Sequence, residues 1–192
     1  MGYLTQSQLE SLKFNYLGKN VKISNTAKIY NAQQIAIGDN SRIDDFCVLS
    51  GRIELGRNVF MGVHGNLAGG IHGIKIDDFV TMAYYVNLFT QSDDYYGETL
   101  TNPTIPRQFK KEKFGRLSVG KHAIIGSNAV VMPDAHIAEG CSIGAMSLVT
   151  KSTEPWGIYV GIPAKRIKER KRDLLRYEAL YLKECHSSDE VY

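Results

Sequence analysis

No uncharged apolar run in this 192-residue chain approaches the ~18–20 residues that a membrane-spanning helix needs. The opening MGYLTQSQLESLKF lacks the basic and apolar regions of a secretory leader, so a cytoplasmic location without integral membrane association is expected. Cysteine is scarce: Cys47, Cys141 and Cys185 form an odd set without metal-like spacing. That argues against a disulfide framework and against any metal requirement, and it leaves Cys47 and Cys141 as buried, reduced thiols. A net charge of +3 is too small to call for nucleic acid. Neither GxxxxGK[ST] nor a glycine-rich strand-to-helix turn occurs, which removes the usual routes to nucleotide hydrolysis and dinucleotide binding. No Ser-His-Asp set can be read from spacing.

What the chain does contain is a period of six. Val119, Ile125, Val131, Ile137, Ile143 and Val149 recur at that interval, each preceded two residues earlier by Leu117, Ala123, Ala129, Ala135, Cys141 or Ser147. Six matches neither the 3.6 of a helix nor the 2 of a simple strand. Very short strands broken by turns, each with one large and one small inward residue, describe a parallel β-helix. The same frame runs through Ile37, Ile43, Leu49, Leu55, Met61 and Leu67, jumps by nine to Ile76, continues to Leu88 and resumes at Val119. Thr5 and Gln8 have capping-box spacing, predicting a short helix near 6–13 that lids the bottom coil. Residues 164–184 are rich in helix formers and predict a terminal helix, with HSSDEVY as a frayed tail.

The hexads and the segment KSTEPWGIYVGIPAKRIK together resemble the hexapeptide-repeat acyltransferases, over about residues 20–170. That resemblance implies an all-β solenoid of left hand, with three hexads per triangular turn and an acyl-CoA donor. One domain is expected over 1–192: a helical cap over 1–18, a left-handed β-helix over 19–154 with an inserted loop at 90–115, and a helical extension over 155–192. Labelled by prism face, Leu67 and Leu88 share a face one coil apart. Both interruptions, 68–73 and 90–115, therefore leave the same corner, and insertions in repeat proteins gather on the functional face.

The longer insertion carries Ser92, Asp93, Asp94, Tyr95 and Tyr96, and it is stiffened by Pro103 and Pro106. A loop this long in a compact domain is functional or disordered. The functional reading is a sugar-binding arm in which carboxylates accept hydroxyl or ammonium hydrogens and tyrosines stack on a ring. The chain is also similar to galactoside and maltose acetyltransferases, whose catalytic histidine lies five residues after the last inward aliphatic. Here that place holds Asp93. SDDY followed by GETLTNPTIP resembles instead the surface-polysaccharide enzymes, among them N-acetyltransferases of dTDP-3-amino-3,6-dideoxyhexoses.

A carboxylate with an ordinary pKa of ~3.9 is a poor base for a hydroxyl but can hold an ammonium. The expected reaction is therefore acetyl transfer from acetyl-CoA to the amino group of a nucleotide-linked sugar. Asp93 is the catalytic candidate, and Ser92, Asp94, Tyr95 and His72 are candidates for binding the sugar. His64, reaching in from another protomer, would restore transfer to a sugar hydroxyl. A non-catalytic β-helix is the alternative from another class. His122 is expected as an ordinary turn residue, and His136 and His186 as solvated. The resemblance places CoA along small residues at Gly126, Ser127, Gly144 and Ala145, with Pro163, Lys165 and Arg166 near its nucleotide end. It also implies a homotrimer with donor sites between adjacent prisms.

Overall fold

The computed structural model describes residues 2–187, with side chains to residue 184. The expected tail beyond residue 187, and the side chains of Cys185 and His186, lie outside the described residues. The chain forms a left-handed parallel β-helix, triangular in section, of about seven turns. One face stacks Lys22–Ile23, Arg42–Ile43, Phe60–Met61, Thr81–Met82, Ile124–Ile125, Ser142–Ile143 and Gly157–Val160. The second stacks residues 28–30, 48–50, 66–68, 87–89, 130–131 and 148–149. The third stacks residues 16–17, 35–37, 53–55, 74–76, 117–119 and 136–137.

The period-six residues point inward and are buried along the whole prism, from Ile37 and Ile43 to Ile143 and Val149. Burial of these aliphatics, at about 25 cal/mol per Å² of apolar surface, is the main force holding coils this short together. Cys47 and Cys141 fill small inward places as free thiols. Burial pushes the Cys47 thiol up to about 11, so it stays protonated at neutral pH.

The first helix, α1 (Gln6–Ser11), starts on the expected capping box. Thr5 N–H donates to Gln8 Oε1 at 2.8 Å, and Gln8 N–H donates to Thr5 Oγ1 at 3.3 Å. Leu9 is its buried residue and joins the core of the prism. The solenoid is longer than 19–154 at both ends. Tyr16–Leu17 already pairs with Ala36–Ile37, and Gly157–Val160 adds a further parallel strand that turns Tyr159 inward.

The helix expected from residue 164 begins ten residues later. Lys165–Glu169 is an antiparallel strand on Gly157–Val160, and α2 covers Leu174–Ser187. Helix propensity is outweighed there by the edge of the last coil, whose unpaired backbone groups take the chain as one more strand. Ile167 is consequently an exposed strand residue.

Candidate functional site

Three edges run along the prism, and they differ in what covers them. At the first, both insertions leave the same corner. The 68–73 segment stays within one long strand, Asn66–Ile76, but advances seven positions from Leu67 to Ile74 where the coil below advances four from Leu49 to Ile53. The second insertion closes on itself. Gly115 N–H donates to Thr90 O at 3.0 Å, and Gln91–Ser92 pairs antiparallel with Lys113–Phe114 to make a short ribbon. Thr90 Oγ1 donates to Ala68 O at 2.8 Å, and the His72 ring sits 5.3 Å from that of Phe114, so the two insertions touch.

The ribbon has two sides. A cleft of about 520 Å³ on one side is lined by Ser92, Asp93, Asp94, Tyr95, Tyr96 and Glu98 among others. Asp94 is engaged in building the loop: Oδ1 accepts from Tyr96 N–H at 2.8 Å, and Oδ2 accepts from Thr99 N–H and Oγ1–H at 2.8 and 3.0 Å. Partial desolvation pushes the Asp94 carboxyl up, but these donors overcome it and hold the group below its ordinary range. Asp93 is far less engaged, accepting from Asn102 N–H at 3.3 Å through Oδ2 alone. Ser92 Oγ donates weakly to Asp93 O at 3.4 Å. Tyr95 and Tyr96 stand 90% and 95% exposed, so nothing in a single copy fixes their rings. His72 lies on the other side of the ribbon, in a different cleft from Asp93.

The second edge carries His64. Phe46, His64 and Tyr85 all take left-handed backbone, with φ of 59°, 61° and 60°, and their rings stack with centroids 4.9 and 4.7 Å apart. Ser127 and Ala145 immediately precede Asn128 and Met146, the next two left-handed residues on this edge, with φ of 59° and 57°. His64 and the donor candidates Gly126, Ser127, Gly144 and Ala145 thus share one edge, while Asp93 lies on another, across one prism face. Gly126 has a local reason of its own. A Cβ there would come within 2.5 Å of Ala145 N in the coil above, so coil stacking already requires glycine.

A hexapeptide transferase model, "Bacterial transferase hexapeptide (six repeats)", matches residues 117–151. A dTDP-4-amino-4,6-dideoxy-D-glucose acyltransferase of Escherichia coli is 37% identical over 184 residues, covering 94% of this chain and 95% of that one. The chain belongs to the hexapeptide-repeat acyltransferases. Among solved structures, AntD, an N-acyltransferase from Bacillus cereus bound to dTDP and 3-hydroxybutyryl-CoA, superimposes with a TM-score of 0.95 at 41% identity. It covers 97% of this chain and all of that one. A single-residue variant of AntD, bound to dTDP-4-amino-4,6-dideoxyglucose and coenzyme A, gives 0.94 at 42% identity over 95% and 98% of the two chains. A maltose O-acetyltransferase from Clostridium difficile, at 20% identity and a TM-score of 0.60, shares the fold alone. The Escherichia coli relative is named for a 4-amino sugar and the AntD variant holds one, where the loop motif resembled enzymes of 3-amino sugars.

The third edge of this acyltransferase is covered by its own C-terminal arm. His122, expected as an ordinary turn residue, is buried. Its Nε2 lies 2.9 Å from Glu178 Oε2 on α2, and its ring stacks on Phe79 at 5.4 Å. Lys121 Nζ lies 2.5 Å from Glu178 Oε1. Partial burial raises the Glu178 carboxyl, but Lys121 and His122 outweigh it and hold the group below its ordinary range. Arg170 donates to the carbonyl oxygens of His122 and Gly140 at 2.7 and 3.0 Å. His136, expected as solvated, is half-buried, with Nδ1 2.9 Å from Ser118 Oγ.

At the end of the prism, Pro163, Lys165 and Arg166 are exposed. Arg166 pairs with Glu169 on its own strand, which leaves Lys165 the less engaged cation. Among the described residues no three His, Cys, Asp or Glu side chains gather as a metal site. No described helix is long and apolar enough to cross a membrane.

The sequence reading missed Arg107, Lys110, Glu112 and Phe114, which line the cleft on the His72 side of the ribbon. The signal was a period of two in KKEKF. Lys110, Glu112 and Phe114 line one cleft, while Lys111 and Lys113 line the other with Glu112 between them.

Proposed function

We propose that this protein moves an acyl group from acyl-CoA to the amino group of a dTDP-linked 4-amino-4,6-dideoxyhexose, for surface polysaccharide. In this reading it works as a homotrimer in the cytoplasm. The observation that carries the reading is likeness from end to end, in sequence to the Escherichia coli acyltransferase and in fold to AntD with both of its ligands bound.

The chemistry follows from the loop. A primary amine attacks the thioester carbonyl without further activation once its ammonium proton is gone, and CoA thiol leaves as the amide forms. Asp93 is the group that receives the ammonium and orients it, because its carboxylate has the lighter load of internal hydrogen bonds. Asp94 supports that geometry by holding the turn over Tyr96 and Thr99. Ser92 and Tyr95 lie beside them as sugar contacts. The bare edge of Phe46, His64 and Tyr85 supports the trimer, since it would bring His64 of one copy and the small residues of that edge toward the loop of the next. Lys165 offers a cation to a CoA phosphate.

Thiol release from acetyl-CoA and 3-hydroxybutyryl-CoA, measured with dTDP-4-amino-4,6-dideoxyglucose and with its 4-hydroxy analogue, tests the reading. Turnover confined to the amine is expected. Turnover of the hydroxyl sugar alone, abolished by His64→Ala and untouched by Asp93→Asn, would replace it with O-acylation.

A further inference from the structure

The ribbon at the loop edge separates two clefts of opposite character. On the side away from Asp93, a cleft of about 450 Å³ lies between the two insertions. Its back wall is Phe114, with His72 from the first insertion packed on one part of the ring and Arg107 from the second at 5.6 Å from the centroid. Deeper in, Lys110 Nζ meets Glu112 Oε1 at 3.0 Å, both side chains only 8% exposed, and Gln91 Nε2 donates to the same oxygen at 2.5 Å. The Lys110 hydrogen bond is the main reason that the Glu112 carboxyl sits below its ordinary range. Glu112 is thus an ionised but compensated group, and the charge left at the mouth of the cleft is Arg107. That guanidinium is exposed and has no ion-pair partner among the described residues. Ile71, 69% exposed, and Ile105 add an apolar rim.

The other side of the ribbon has the opposite balance. Glu98 is paired with Lys111 at 2.8 Å, and Asp93 and Asp94 set two carboxylates outside any ion pair among the described residues against one such cation on this lining, Lys113, which leaves the cleft with an excess of negative charge. Glu112 lines both clefts, so they are adjacent. A sugar nucleotide with an amino group is likewise polar from end to end, a cation on the sugar and two phosphates joining it to the nucleoside.

We propose that the cleft walled by His72, Arg107 and Phe114 holds the diphosphate of the sugar nucleotide, with Arg107 as its principal ligand and the ribbon as the spacer from the amine at Asp93. The assignment rests on the acyl-transfer reading above. A planar guanidinium braced on an aromatic ring presents two parallel N–H donors to phosphate oxygens at little entropic cost. His72 adds a ring N–H, and Ile71 and Ile105 offer a dry wall to the base or the deoxyribose. CoA also carries a diphosphate, so the chemistry alone admits either ligand. The adjoining acidic cleft selects the ligand that bears an amine.

Calorimetric titration of the full-length protein with dTDP and, separately, with CoA tests the assignment. Arg107→Ala should weaken dTDP binding by about tenfold or more, the scale of a lost charge-assisted hydrogen-bond pair. Arg107→Lys should recover part of that loss, and His72→Ala should weaken dTDP by a smaller factor. CoA affinity should stay within about twofold of wild type in every variant, which also reports an intact fold. Unchanged dTDP affinity in Arg107→Ala would overturn the assignment and leave the acyl-transfer reading standing. Loss of CoA affinity in place of dTDP affinity would overturn it by making this a donor pocket. A wild-type protein that binds no dTDP would overturn both.

Discussion

The corner bearing Phe46, His64 and Tyr85 and the corner bearing Phe79, His122 and Trp156 turn on the same backbone. The φ values are 59°, 61° and 60° at the first and 59°, 62° and 57° at the second. Left-handed backbone at a bulky residue costs about 1–2 kcal/mol, so each aromatic at these corners needs a return from packing. At the second corner the chain supplies it: α2 brings Glu178 to His122 and the Tyr181 ring to Phe79, and Arg172 lies 5.2 Å over Trp156. At the first corner the rings stack only on one another, and Phe46 and Tyr85 remain 53% and 47% exposed. The two corners thus carry equivalent strain with unequal cover, and the uncovered one is the edge on which the proposed trimer rests.

Breaking the bare corner should have the largest effect. Phe46→Asp combined with Tyr85→Asp should convert the proposed trimer to monomers in analytical ultracentrifugation and abolish turnover, with far-UV circular dichroism unchanged. A double variant that stays trimeric would end the case for this edge as an interface. Next comes Asp93→Asn, which should lower turnover by ~10² while the oligomeric state and the CoA affinity persist, within the range for a positioned acid–base group. Asp94→Asn sharpens that result. Its carboxylate holds the turn, so the loss should appear mainly as a raised Michaelis constant for the sugar nucleotide.

The covered corner should respond in stability and leave assembly intact. Gly140 is left-handed at φ 68°, and a Cβ there would lie 2.4 Å from the Trp156 indole. Gly140→Ala should therefore cost about 1–3 kcal/mol by overpacking, read as a lower Tm with the oligomeric state unchanged. The smallest effect concerns Glu178. A carboxyl held low in the folded state adds stability above its unfolded pKa of ~4.3, and that stability is lost as pH falls through the folded value. Wild-type Tm should accordingly drop more steeply in acid than that of Glu178→Gln, with the two curves converging at the acid end. Parallel curves across that window would mean that the His122–Glu178 contact does not contribute.

The sequence alone determined the solenoid, its period and the common corner of its two insertions, because a six-residue repeat of one large and one small inward side chain is local and repeats along one axis. The extent of the longer insertion was legible for the same reason, since the period stops at Leu88 and resumes at Val119, whereas its closure by the Gly115–Thr90 hydrogen bond was not. Two carboxylates at 93 and 94 could be named as candidates, but their different duties could not. Which of them holds the turn depends on the placement of Thr99 and Asn102, residues that meet them only through the path of the loop. Tertiary structure also decided the cover of each corner. His64 and His122 occupy equivalent phases in the repeat, and only the docking of a distant helix buries one and leaves the other bare. That docking, like the meeting of His72 with Phe114 across two insertions, joins residues with no periodic relation, and such pairs leave no trace in a repeat.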